Sequence, residues 1–131
     1  MARILIIDDD VEFGIFLQEI LEHAGYEVVV AHNGREGVAD YEAMSIALVI
    51  TDILMPEQEG LETIALLRRI NPQLKIIAMS GGGQTGRLDF LYVAATLGVQ
   101  RTLHKPFTRQ ELLEAVGDLI QGEAEDTHPP P

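Results

Sequence analysis

Asp8-Asp9-Asp10, Asp52, Ser80 and Lys105 are the residues of this chain whose types suit a shared chemistry. Carboxylates a few ångströms apart repel, and each raises the pKa of the others unless a cation intervenes. Hard oxygen donors without His or Cys suit Mg2+, which takes few carboxylates and keeps several waters. A lysine ammonium opposite them adds positive charge, and a serine hydroxyl adds a hydrogen-bond donor. A carboxylate, a divalent cation, an ammonium and a hydroxyl together describe a pocket for a phosphoryl group. A carboxylate can itself be the nucleophile that accepts it. Catalysis there is positioning plus charge neutralisation.

These residues are far apart in the chain, so the elements between them must bring them together. Ile4–Ile7, Tyr26–Ala31, Ile46–Thr51, Lys75–Met79 and Arg101–His104 read as five strands. The first, third and fourth are continuously apolar, as strands covered on both faces should be. Glu27 in the second, and Arg101, Thr102 and His104 in the fifth, mark those two as edges. Phe13, Phe16, Leu17, Ile20, Leu21 and Ala24 form one helical face, with Asp10 as its cap and Gly25 as its stop. Leu88–Leu97 and Leu112–Ile120 repeat the period, the latter capped by Thr108. Arg35–Ala43 and Leu61–Ile70 are weaker helices, and Asn71-Pro72 stops the second.

The order is βα repeated five times. It predicts an α/β fold of the flavodoxin-like type, a five-stranded parallel sheet with five helices on both faces. With the strands ordered 2-1-3-4-5, ligands bind beyond the carboxyl ends where the order reverses. Asp8, Asp9, Asp52, Ser80 and Lys105 all fall at such ends. Residues 1–121 make the domain. From Gly122 on, the acidic residues and the prolines at 129–131 read as a disordered tail or linker stump.

The chain has 131 residues, 9 basic and 21 acidic, for a formal charge of −12. That balance argues against nucleic acid and anionic membranes as partners and favours cations. The absence of cysteine removes disulfides and thiolate metal sites. No apolar run approaches the roughly 18–20 residues of a membrane span, and the start has no signal-peptide layout. A cytoplasmic protein is expected.

Taken singly, each site residue has a plainer reading. Asp10 is a helix cap, Ser80 alone would be a turn residue, and Lys105 alone would be an exposed lysine. Joint placement at strand ends is what lifts them. His23, His32, His104 and His128 lack metal-ligand spacing and read as surface or edge residues. The glycines at 81–83 and 86 lack the Gly-Lys-Ser/Thr ending of a phosphate loop and read as a connector.

Ile4-Leu5-Ile6-Ile7-Asp8-Asp9-Asp10, Leu48 to Pro56 with Gly60, Ile76 to Ser80, and Lys105-Pro106-Phe107 together resemble the receiver domain of two-component response regulators, over about residues 3 to 121. The resemblance implies that Asp52 accepts phosphate from a phosphohistidine of a sensor histidine kinase or a phosphotransfer protein. It implies Mg2+ on Asp9, Asp52 and the backbone carbonyl of Leu54, with Asp8 assisting through water. Ser80 and Lys105 would bind the phosphoryl oxygens, and the Lys105-Pro106 bond would be cis. It implies a switch without enzymatic turnover, acting on a downstream protein through the last strand and its flanking helices, with room for a homodimer.

Two features depart from the family pattern. Thr102 stands where many receivers carry the aromatic residue of the switch, so Ser80 and Thr102 become the switch pair to examine. The glycine-rich stretch after Ser80 is longer than usual, and Ser80 engaging the phosphoryl group is expected to order it and reposition Leu88–Leu97. A haloacid-dehalogenase-type phosphatase shares the Asp, Ser and Lys set, but Glu12 stands where its motif needs Thr or Val. A flavodoxin-like flavin binder would meet three repelling aspartates. A phosphate-independent pseudo-receiver would be expected to lack site residues that are present here.

Overall fold

Ile4, Leu5, Ile6 and Ile7 are all fully buried, as a strand must be when both faces of its sheet are covered. A computed structural model describes residues 2–53, 59–81 and 95–127. Its elements run β1 (Arg3–Ile7), α1 (Val11–His23), β2 (Glu27–Ala31), α2 (Gly34–Ala43), β3 (Leu48–Asp52), α3 (Glu59–Ile70), β4 (Lys75–Ser80), β5 (Arg101–His104) and α4 (Arg109–Thr127). The strands form one sheet in the order β2-β1-β3-β4-β5, and every neighbouring pair is parallel. The expected order and edges are observed. The described residues hold four helices rather than five. Most of the expected helix at Leu88–Leu97 lies outside them, and only Ala95 and Thr96 are seen in helical conformation.

Alternation along the strands divides the core in two. Ile4, Ile6, Ile50 and Met79 pack with Leu17 and Leu21 of α1 and with Leu112 and Val116 of α4. Leu5, Ile7, Val49 and Ala78 pack on the other face with Ile64 and Leu67 of α3, bordered by Val38 and Tyr41 of α2. Helices thus cover both sides, and chemistry is confined to the strand ends.

Local signals set the helix starts. The Asp10 side chain accepts from the Phe13 N–H at 3.1 Å, and Gly25 takes a positive φ of 102° just beyond α1. Thr108 and Glu111 form a reciprocal capping box at α4, with bonds of 3.0 and 2.9 Å.

Three expectations are corrected. Phe16 is half exposed and Ala24 is exposed, although the periodicity placed both on the buried face of α1. The buried row is Gly14, Leu17, Ile20 and Leu21. α1 lies so close to β2 at Gly14 that a Cβ there would sit 3.1 Å from Val30 Cγ1, and this approach turns Phe16 outward. β3 begins at Leu48 and includes Asp52, two residues late at its start and one at its end, because its pairing runs from Ile4↔Leu48 to Asp52↔Met79. Finally, α4 continues to Thr127, where an unstructured tail was expected from Gly122. Ala and Glu are good helix formers, and extending an existing helix is far easier than nucleating one.

Candidate functional site

β1 and β3 run parallel with Ile7 opposite Thr51, so the residues that follow, Asp8 and Asp52, emerge side by side at the carboxyl ends. Both are buried, Asp8 completely and Asp52 to 5% exposure. Lys105 follows the end of β5 and bridges them, its Nζ donating to Asp8 Oδ2 at 2.9 Å and Asp52 Oδ2 at 3.0 Å. Its own N–H donates to the Ser80 carbonyl at 2.9 Å, tying the lysine to the end of β4. The Lys105-Pro106 peptide is cis.

Asp8 Oδ1 accepts from the Asp10 N–H at 2.9 Å, so one turn orients both the buried acid and the cap of α1. Asp9 is exposed at the mouth, and one carboxylate oxygen from each of Asp8, Asp9 and Asp52 lies within 4.8 Å of the others. This is an oxygen donor set of the kind a hard divalent cation takes. Leu54, whose carbonyl was expected to join it, lies outside the described residues, as do Met55 and Pro56.

The electrostatics follow from burial. Burial raises the Asp8 pKa, the Asp52 charge pushes the same way, and the bonds from Asp10 and Lys105 only partly offset this. Burial alone would lower the Lys105 pKa. The hydrogen bond to Asp8 and the two negative charges outweigh it and hold the ammonium above its ordinary value. Lys105 is therefore a fixed cation, and two acids share it.

Phe13 extends this arrangement. Its ring centroid lies 4.3 Å from Lys105 Nζ, and Phe107 meets the same ring edge-on at 5.7 Å. Periodicity marked Phe13 only as core. Its contact with the lysine arises because the Asp10 cap sets the start of α1 directly over the site.

Ser80 is the last residue of β4 and is 2% exposed. Its Cα stands one position beyond that of Met79, the register partner of Asp52, and so about 6 Å from the Asp52 Cα given the spacing of strands and residues. Its hydroxyl meets His104 Nδ1 at 3.2 Å. Thr102 is exposed and pairs with Ala78, so it is His104, read from sequence as a bland edge residue, that meets Ser80. The stretch 82–94 expected to respond to Ser80 lies outside the described residues.

Gly60 completes the frame. A Cβ there would come within 2.6 Å of Ile53 Cα and closer still to the Asp52 carbonyl, so only glycine lets α3 begin against the end of β3.

Fold and crevice together define a doubly wound α/β domain with a lysine-bridged acidic site at its strand ends. Residues 4–117 match the family described as the response regulator receiver domain. The chain is 36% identical to the chemotaxis protein CheY of Thermotoga maritima over 118 residues, 89% of this chain and 96% of the relative. It is 32% identical to the transcriptional regulatory protein CpxR of Escherichia coli over 121 residues, 92% of this chain, and spans about half of that relative's length. Among solved structures, the response regulator TrrA of Thermotoga maritima in complex with Mg2+ and BeF superposes with a TM-score of 0.79 at 33% identity, covering 91% of this chain and 99% of that one. The chain belongs to the response regulator receiver domain family of two-component systems. The family function is a phosphorylation switch rather than classical enzymatic turnover. Among the described residues, no helix is long and apolar enough to cross a membrane.

Proposed function

We propose that Asp52 is the phosphoacceptor and that its donor is the phosphohistidine of a sensor histidine kinase or a histidine phosphotransfer protein. The observation that carries this reading is the single ammonium of Lys105 held between Asp52 and the fully buried Asp8. An Asp52 oxygen attacks phosphorus, the P–N bond of the donor breaks, and the leaving imidazole keeps the electron pair and takes a proton. Lys105 turns from carboxylate to phosphoryl oxygen as negative charge accumulates there, and Ser80 donates its hydroxyl proton to another.

Mg2+ fits the oxygen set of Asp8, Asp9 and Asp52, and when bound it would neutralise charge on the transferring group. Asp9 and Asp52 would hold it, with Asp8 assisting through water and the Leu54 carbonyl a further ligand by resemblance. The same residues take part in loss of the phosphoryl group to water. The output is a contact with a downstream protein in the cytoplasm, by the surface around β5 and α4, and a homodimer by that surface is compatible with it.

The test is intact mass after incubation with acetyl phosphate or phosphoramidate, with and without Mg2+. One Mg2+-dependent adduct, absent in Asp52→Asn, is expected. An adduct that persists in Asp52→Asn would overturn the assignment. Release of phosphate from a generic ester would instead favour the phosphatase reading.

A further inference from the structure

We propose that His104 is the positioning residue for Ser80, deciding whether the serine hydroxyl proton is held by the imidazole or offered to a phosphoryl group on Asp52. The inference rests on the phosphoacceptor reading and extends it to the switch.

Register makes the pair. β4 and β5 are parallel with Ser80 opposite His104, so both side chains leave the same face of the sheet, and Ser80 Oγ lies 3.2 Å from His104 Nδ1. Ser80 is buried while His104 is exposed, so the imidazole joins a hydroxyl inside the crevice to the surface of the edge strand. The charged groups that flank His104 on β5 and beyond it have other partners: Arg101 pairs with Asp118, and Lys105 pairs with Asp8 and Asp52.

The chemistry lies in donor counting. A serine hydroxyl has one proton and two lone pairs, whereas phosphoryl oxygens only accept. With Nδ1 unprotonated, the ring can only accept, and the Ser80 proton is committed to it. With a proton on Nδ1, the ring donates to Ser80 Oγ and the hydroxyl proton is free for the phosphoryl group. Phosphorylation therefore selects the ring form that carries Nδ1–H, and the change is passed to an exposed residue of β5. Thr102, paired with Ala78 and exposed, is not in register with Ser80. His104 thus supplies the coupling expected elsewhere of an aromatic residue at position 102.

Two measurements test this on the whole chain with phosphoramidate and Mg2+. The first reads 15N shifts of the His104 ring in the unaltered protein before and after loading. Nδ1 is expected to pass from an unprotonated acceptor to a protonated donor, and an unchanged Nδ1 would overturn the proposal. The second compares rates of adduct formation. His104→Phe removes the Nδ1–H that would hold Ser80 Oγ with its proton toward the phosphoryl group, and is expected to be about fivefold slower, the scale of one hydrogen bond. His104→Asn, whose amide reaches the position of Nδ1, is expected to recover most of the rate, and His104→Gln is not. In a Ser80→Ala background, His104→Phe is expected to change nothing further. Equal slowing there would mean that His104 does not act through Ser80. No adduct on Asp52 in the unaltered protein would overturn the phosphoacceptor reading and this inference with it, whereas an adduct indifferent to His104 would overturn the inference alone.

Discussion

Asp52 rises from the sheet face packed by α1 and α4 and meets Asp8 and Lys105 there, whereas Ser80 and His104 rise from the face packed by α2 and α3. On the first side, two buried carboxylates and an ammonium are locked by bonds of 2.9 and 3.0 Å, with an aromatic ring over the cation. On the second, a single 3.2 Å contact joins a neutral hydroxyl to an exposed imidazole. Paired buried charges cost much to separate, while one neutral hydrogen bond at the surface is worth about 1 kcal/mol. The charged side is therefore costly to disturb and the neutral side suited to move, a difference that under the proposed mechanism would separate attack from response.

Removing the cation should break this contrast most severely. Lys105→Met keeps the stem over Phe13 but leaves Asp8 and Asp52 without it. Adduct formation is expected to fall about a hundredfold or more, the scale of losing a preorganised charge. Folding stability should fall by about 2 kcal/mol, below the figure for a fully buried pair because Lys105 is 18% exposed. Unchanged urea midpoints and rates would show that the charged side is not locked.

Next in size is Gly60→Ala, which pushes α3 off the end of β3. A loss of about 1–3 kcal/mol is expected in urea unfolding, with slower phosphorylation because Asp52 moves with its strand. A neutral result would mean that the close approach at Gly60 relaxes without cost.

Asp8 supplies a test of opposite sign. Its pKa is raised by burial, so above the ordinary value of 3.8 the folded state retains a proton that the unfolded chain has lost. The stability from this group is present in acid and is lost as pH rises through the raised pKa. Asp8→Asn should therefore melt higher than the unaltered, metal-free protein at pH 7, and the gain should shrink toward pH 4. Mg2+ should also raise the melting point of the unaltered protein, by the equivalent of about 1.4 kcal/mol at ten times its dissociation constant, and by less in Asp8→Asn. A variant less stable at pH 7 would show that the bonds from Asp10 and Lys105 outweigh burial.

The smallest effect is expected outside both sides, at Arg101→Ala. Its 2.7 Å pair with Asp118 is exposed, and such pairs contribute about 0–1 kcal/mol. A larger loss, or any loss of phosphorylation, would extend the functional surface along β5.

Much of the charged side was legible in the sequence. Apolar runs that end in Asp8 and Asp52, with Lys105 after the edge strand, declare both buried parallel strands and a site at the strand ends, because burial on two faces leaves polar chemistry nowhere else to stand. The Asp10 cap and the stop at Gly25 were legible for a local reason, since a helix end is satisfied by residues a few positions away. Phe16 was misread because helical periodicity gives the width of an apolar face but not its rotation, which the approach of Gly14 to Val30 decides. Arg68 also went unread. It donates to the carbonyls of Leu97 and Gly98 at 2.8 and 2.7 Å, about thirty residues on, and no local pattern announces such a partner.

By itself the sequence determined the alternation of strands and helices, the parallel sheet, and the identity of the acids and the lysine, because these depend on hydrophobic period and residue type. Tertiary structure alone decided that Lys105 is shared by Asp8 and Asp52, that Phe13 covers it, and that Ser80 faces His104 rather than Thr102. Each of these depends on the register between strands or on the seating of a helix across them. Those are set by the packing of the whole core, and a shift of one residue in register would turn every side chain of β5 to the opposite face.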